Sequence, residues 1–204
     1  PTAFYRDNKE NKPNKFVTFD IGMIVNGLVS LYRETKDEKY LHSARKAADW
    51  LIKYIKDDGS ITAMVDQDGH IKDYDGTWST QSGSFHCKIG IGLLNLFDLT
   101  KEKKYKKAAI GLCEYALTRQ QKDGQFLTYG EQSGTNLHPH SYSAEGLFVA
   151  GKYLNNEIFL EAAQRAAKWA INNTKNGIVP RLKHEDRFNY SERVDTMAQV
   201  YRLC

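Results

Sequence analysis

Glu145 stands inside a run that is otherwise apolar or small, Ala144-Glu145-Gly146-Leu147-Phe148-Val149-Ala150. A carboxylate in such a place is costly unless it is paired. Tyr142 lies three residues earlier and His140 five, with His138 just ahead of them. Residues three apart share a helix face, so Tyr142 and Glu145 point the same way. An imidazole beside a carboxylate can move protons near neutral pH, which makes His140 and Glu145 the leading acid–base candidates. His86 is a candidate second base and Asp195 a candidate second carboxylate. Around them fall residues suited to binding: Asp20, Trp78, Lys88, Tyr129, His138, Tyr142 and Arg193. Rings that stack, with charged groups that bind hydroxyls, are the equipment of a sugar site. Several have plainer uses. Asp20 and Asp195 precede apolar helical runs and read as N-caps, Trp78 as a plug for its loop, and His86 as a half-buried imidazole at a helix start.

The elements that would position these groups repeat. Gly27-Leu28, Gly92-Leu93 and Gly146-Leu147 align, each followed by an aromatic at Tyr40, Tyr105 and Phe159 and a second at Trp50, Tyr115 and Trp169. Each unit then turns at Asp58-Gly59, Asp123-Gly124 or Asn176-Gly177. Two kinds of helix alternate. One is apolar nearly all round (Ile21, Val25, Leu28, Val29) and must be enclosed by neighbours. The other is amphipathic, as over 38–56, where Tyr40, Leu41, Ala44, Ala48, Leu51 and Ile55 keep a helical period. Buried inner helices alternating with outer ones give an all-α fold, an α/α toroid of about three and a half helical hairpins in a single domain over 1–204. The loops 60–83, 125–138 and 178–192 are polar and Gly-rich, and Ile61–Val65 and Gln125–Tyr129 are candidate short strands. Every long loop joins an outer helix to the next inner one, so the toroid carries its loops and inner-helix N-termini at one end. Such N-termini suit anionic or hydroxyl-rich ligands.

A fourth unit begins at Val194-Asp195, with Leu203 eight residues after the Asp, as Leu28 follows Asp20. Three and a half hairpins do not close a ring. The expectation is therefore part of a longer chain, or a homo-oligomer in which another copy covers the open edge. The opening at Pro1 without Met fits processing or a longer product.

Composition is that of a soluble globular protein, 41% hydrophobic and 26% charged. A net charge of +4 from 29 basic and 25 acidic residues does not call for nucleic acid. The run Lys101–Lys107 reads as a solvated helix face, and no stretch approaches a membrane span. Cys87, Cys113 and Cys204 form no disulfide framework, and Cys113 falls where the other repeats carry Ala48 and Ala167.

Three resemblances attach to these residues. His138-Pro139-His140-Ser141-Tyr142-Ser143-Ala144-Glu145 resembles the Asn-Pro-His-Met-His-Leu-x-Glu motif of the N-acylglucosamine 2-epimerase family, (α/α)6 barrels that epimerise sugars by proton transfer. His140 and Glu145 match the motif's first His and its Glu, Tyr142 replaces the second His, and His138 replaces the Asn. The phrases over 31–41 and Gln121–Gly124 are similar to those of six-hairpin glycosidases and related lyases, a likeness that covers most of the chain and concerns its fold. Ser84–Leu93 resembles the zinc-binding segment of lanthionine-synthesising cyclases, with Cys87 as first ligand, but no later Cys-His pair completes a zinc site, so neither metal nor cofactor is expected.

The sequence thus points to a carbohydrate-active protein whose partner is a sugar or oligosaccharide, with neither nucleic acid nor membrane. The reaction would be epimerisation with two bases, or glycoside hydrolysis with Asp195 or Asp20 joining Glu145. The alternative is a non-catalytic helical scaffold or auxiliary domain of a polysaccharide-processing protein.

Overall fold

Helices form where the repeat demands them. A computed structural model describes residues 15–71, 78–128 and 134–203, which fall into two compact units, 15–71 and 78–82 with 89–111, and 83–88 with 112–128 and 134–203.

In the first unit, β1 (Lys15–Val17) leads into α1 (Thr18–Thr35), which turns into α2 (Glu38–Ile52). β2 (Met64–Asp66) pairs antiparallel with β1, Phe16 opposite Val65. α3 (Ile89–Thr100) and the first part of α4 (Lys103–Thr118) complete the unit. Glycine lets the inner helices meet closely: a Cβ on Gly22 would come within 2.7 Å of the Ile89 side chain. Between α1 and α3 the amide of Asn95 donates to Asn26 at 3.0 Å. α2 buries Ala44, Ala48 and Leu51 and turns its charges outward. Asp49 accepts from Tyr105 at 2.8 Å and pairs with Lys104 at 2.6 Å, and Lys101, Lys103, Lys104 and Lys107 are exposed, the solvated face expected of the basic run.

In the second unit, a short 3₁₀ turn, Ser84–Lys88, and the end of α4 join β3 (Thr135–Asn136), α5 (Leu137–Leu154), α6 (Glu157–Asn172), the hairpin β4 (Leu182–His184) and β5 (Arg187–Asn189), and α7 (Val194–Arg202). The three strands form one antiparallel sheet in the order β3-β4-β5. α5 packs directly on the 3₁₀ turn: the Ser84 and Ser143 hydroxyls are 2.8 Å apart, and the Cys87 thiol donates to the Ser143 carbonyl at 3.3 Å. Leu137, Trp169, Ala170, Val179 and Val200 form a core cluster, with Phe188 and Met197 against it. Cys113 is fully buried, the small core residue its repeat position implied.

The turn glycines behave as the spacing implied, with φ of 81° at Gly59, 100° at Gly124 and 75° at Gly177, left-handed values that glycine adopts without strain. The strands depart in detail. β2 starts at Met64, and Ile61 makes only an isolated bridge to Ile55. Over 125–128 the chain forms an isolated bridge, Phe126 to Gln120, rather than a strand, and Tyr129 lies outside the described residues. Among the described residues no helix is long and apolar enough to cross a membrane.

Candidate carbohydrate site

The α5 helix sorts the candidate residues by angle. His138, Tyr142 and Glu145 are four and then three residues apart and share one face. His140 is two residues from His138, roughly 200° round the helix. The structure therefore separates the expected acid–base pair. His140 is buried, its ring against Phe126 (5.7 Å) and Trp169 (4.9 Å). Its Nδ1 accepts from the Phe126 N–H at 3.2 Å, so Nε2 carries the proton and donates to the Ala166 carbonyl at 3.0 Å. Burial pushes its pKa down to about 4. This imidazole is neutral and bonded to backbone at both nitrogens, which ties it to the fold rather than to a ligand.

His86 has a similar setting. It is fully buried within the 3₁₀ turn, with Nδ1 in hydrogen-bond reach of Gly83's carbonyl and amide (3.1 and 3.2 Å) and its ring 4.2 Å from Phe85. Burial lowers its pKa to about 4 as well. Cys87 beside it is buried, and its thiol is pushed well above the ordinary range by burial.

Glu145 has found the partners its location requires. Its Oε2 accepts from Lys88 Nζ at 2.7 Å, and its Oε1 pairs with Arg202 of α7 at 2.5 Å. Lys88 Nζ also lies 3.8 Å from the centroid of the Tyr142 ring, a cation–π contact. Tyr142 stacks at a tilt on His138, 4.6 Å away. His138 Nδ1 is 3.5 Å from Asp195 Oδ2, and Gln199 reaches both His138 and Tyr142. Arg193 closes the group: Nε donates to Asp195 Oδ1 at 2.9 Å, and a second nitrogen bonds Oδ2. The Arg193 guanidinium holds the Asp195 carboxyl below the usual range, while burial holds His138 below and Tyr142 above theirs.

Neither proposed aspartate cap is one. The N-cap of α7 is Arg193 and that of α1 is Val17, and Asp195 and Asp20 sit in the first helical turns, where a negative charge favours the helix dipole. Asp195 keeps 44% of its side chain exposed. Asp20 is half-buried in the first unit, where Trp78 meets Phe19 edge-on at 6.2 Å.

In the second unit the structure thus brings together Lys88, His138, Tyr142, Glu145, Arg193 and Asp195, and adds Gln199 and Arg202. Three cations face two carboxylates around one aromatic ring, so the cluster carries a net positive charge when His138 is neutral. It can offer donors to an anionic or hydroxylated ligand and one ionised, half-exposed carboxylate as acceptor. Elsewhere among the described residues, Asp66, Asp68 and His70 bring ligand atoms within 4.8 Å of one another, but the Asp66 Oδ1 already accepts from the Asp68 and His70 amides.

Residues 3–161 match the family model Glycosyl Hydrolase Family 88. The chain belongs to glycosyl hydrolase family 88. No curated protein matches this family-88 chain in sequence. Its fold is that of the six-hairpin glycosidase superfamily, the α/α toroids. A GH76 α-mannanase from Bacteroides thetaiotaomicron matches at a TM-score of 0.74 and 18% identity, over 99% of this chain and 55% of that one. A sugar epimerase from a ruminal bacterium matches at 0.77 and 11%, over 94% and 56%. An unsaturated glucuronyl hydrolase from Bacillus sp. GL1, responsible for the degradation of glycosaminoglycan, matches at 0.67 and 14%, over 98% and 59%. At such identities the likeness is one of fold. The family-88 chain spans a little over half the length of these solved structures.

Proposed function

We propose that this family-88 chain takes part in glycoside hydrolysis and seats a sugar bearing an acidic group against α5 and α7 of its second unit. One observation carries the reading: a bidentate Arg193–Asp195 pair, half-exposed, stands beside the His138–Tyr142 stack and the Lys88–Glu145 pair. Arginine and lysine supply charge-assisted donors for a sugar carboxylate, Arg193 through the guanidinium N–H groups that its pair with Asp195 leaves over. The tilted His138 and Tyr142 rings give the sugar an apolar edge to pack against. Asp195, kept ionised by Arg193, accepts from hydroxyls or takes a proton from water, the base side of glycoside hydrolysis. Glu145 acts through Lys88, which it holds over Tyr142. His86 and His140 have no part in the chemistry in this reading.

The degradation of glycosaminoglycan by one of the solved structures is consistent with an acidic sugar. The test is release of reducing ends from glucuronate-capped oligosaccharides by wild type and Asp195→Asn. Wild type should cleave, and the variant should lose two orders of magnitude or more in rate, as removal of a general base costs, with the melting temperature kept. An Asp195→Asn protein that cleaves at the wild-type rate would overturn it.

A further inference from the structure

The first unit has a cleft of about 500 Å³, within the size of small-ligand sites. Three rings wall it: Trp50 and Tyr54 on and just after α2, 4.7 Å apart, and Phe16 of β1, edge-on to Trp50 at 6.0 Å. Ile21 and Ala47 join them, and the rest of the lining is mostly polar, with Lys46, Gln67 and Asp68 all exposed at its margin.

The polar wall is fixed in place. The buried Asp66 carboxylate accepts from the backbone amides of Asp68 (3.0 Å) and His70 (2.9 Å), and the Gly69 amide donates to the Asp66 carbonyl at 3.1 Å. Gly69 has φ of +86°, and a Cβ there would come within 3.2 Å of the Tyr54 hydroxyl. The loop needs glycine both to turn and to lie against the ring.

The repeat explains why this space is open. Trp50 and Trp169 occupy the same position, twenty-three residues after Gly27 and Gly146. In the second unit the chain covers its own tryptophan: Trp169 is 6% exposed, Phe188 of β5 lies 6.2 Å away, and the indole N–H donates to Asp123 at 3.1 Å. In the first unit Trp50 stays half-buried and faces the cleft. An indole that is only half-buried among the described residues and flanked by hydrogen-bonding side chains suits a ring that is apolar on its faces and hydroxylated at its rim. Two aspartates against one lysine disfavour an anionic ligand.

We propose that this cleft is a second carbohydrate site, which stacks a neutral hexose ring on Trp50 and binds its hydroxyls through Lys46, Gln67 and Asp68. It would hold a polysaccharide chain independently of the cluster in the second unit.

The test follows the indole N–H signals of Trp50, Trp78 and Trp169 by NMR during titration with cellopentaose, mannopentaose and a glucuronate-capped disaccharide. Trp50→Phe assigns the signal. At least one neutral pentasaccharide is expected to move the Trp50 signal saturably and more strongly than the disaccharide does. Lys46→Ala and Asp68→Asn, both at exposed positions, should each weaken binding about fivefold, the worth of one net hydrogen bond. Asp195→Asn should leave it unchanged. A Trp50 signal that neither pentasaccharide moves, or that moves identically in both polar variants, would overturn the proposal. So would binding that disappears with Asp195→Asn.

Discussion

The repeat glycines offer a controlled perturbation, because the same substitution should have opposite signs at equivalent positions. Gly27 lies inside α1, and a Cβ built there meets nothing within 4 Å. Gly27→Ala therefore gains helix propensity alone and should stabilise by about 0.5–1 kcal/mol. At Gly92 the Cβ would lie 3.0 Å from the Asn26 amide nitrogen and 3.1 Å from the Gly22 carbonyl oxygen, so propensity and crowding roughly cancel. At Gly146 it would stand 2.5 Å from Lys88 N, 2.6 Å from the Cys87 carbonyl carbon and 2.7 Å from Cys87 Sγ. Two of these atoms are backbone, which cannot rotate aside, so α5 must lift from the Ser84–Lys88 turn. Overpacking of this kind costs about 1–3 kcal/mol or more. After the propensity gain, Gly146→Ala should destabilise by about 2 kcal/mol, a fall in melting temperature of roughly 4–8 °C for a chain of this size. Thermal unfolding followed by circular dichroism would rank the proteins Gly27→Ala, wild type, Gly92→Ala, Gly146→Ala. A Gly146→Ala protein as stable as wild type would refute the close packing of α5 on the turn.

Further outcomes follow from the buried groups. His86 and His140 have folded-state values of about 4 against an ordinary 6.5, so the unfolded chain binds their protons first. Their contribution is whole above pH 6.5 and drains away as pH falls toward 4, by roughly 2 kcal/mol each on reaching pH 5; a melting temperature that stays flat from pH 7.5 to 5 would count against both burials. Burial pushes the Cys113 thiol up to about 12 and that of Cys87 well above its usual range, so mass spectrometry after brief iodoacetamide treatment should find both alkylated only in denaturant. Glu145→Ala strands Lys88, whose side chain is 14% exposed, and should cost about 2 kcal/mol, between the values for surface and buried pairs. In a double-mutant cycle Lys88→Ala should then cost less in that background than in wild type, and additive losses would deny the pairing.

The sequence made the scaffold legible through spacing. Apolar and amphipathic segments alternate at fixed intervals, and Gly59, Gly124 and Gly177 mark the turns because only left-handed backbone fits there. The hairpin turns within each repeat were hidden. They fall nine residues after Gly27, Gly92 and Gly146, where Lys36, Lys101 and Asn155 take φ of 57°, 59° and 52°, and lysine carries no turn signal. The cost of burying Glu145 announced that it needed partners, and Lys88 was already a candidate. Arg202 was missed because it follows α7's first residue by two helical turns, far from any motif, yet it fills the place that Gly27 holds in the first repeat. His140 matches the motif, but about 100° per residue puts it off the face of His138, Tyr142 and Glu145. The two aspartates expected as caps sit inside the first turn, three residues after Val17 and two after Arg193, because helix boundaries are the least sharply marked feature of a sequence.

The proposed seat of an acidic sugar is where Arg193 and Asp195 meet His138 and Tyr142. Its most direct test is isothermal titration of wild type and Arg193→Ala with a disaccharide ending in glucuronate. Arg193 is one-third exposed and begins α7 without a side-chain cap, so its truncation should leave the fold intact. Wild type should bind, and the variant should lose about tenfold or more in affinity, as removal of a charged hydrogen bond costs. Equal affinity in the two proteins would contradict it.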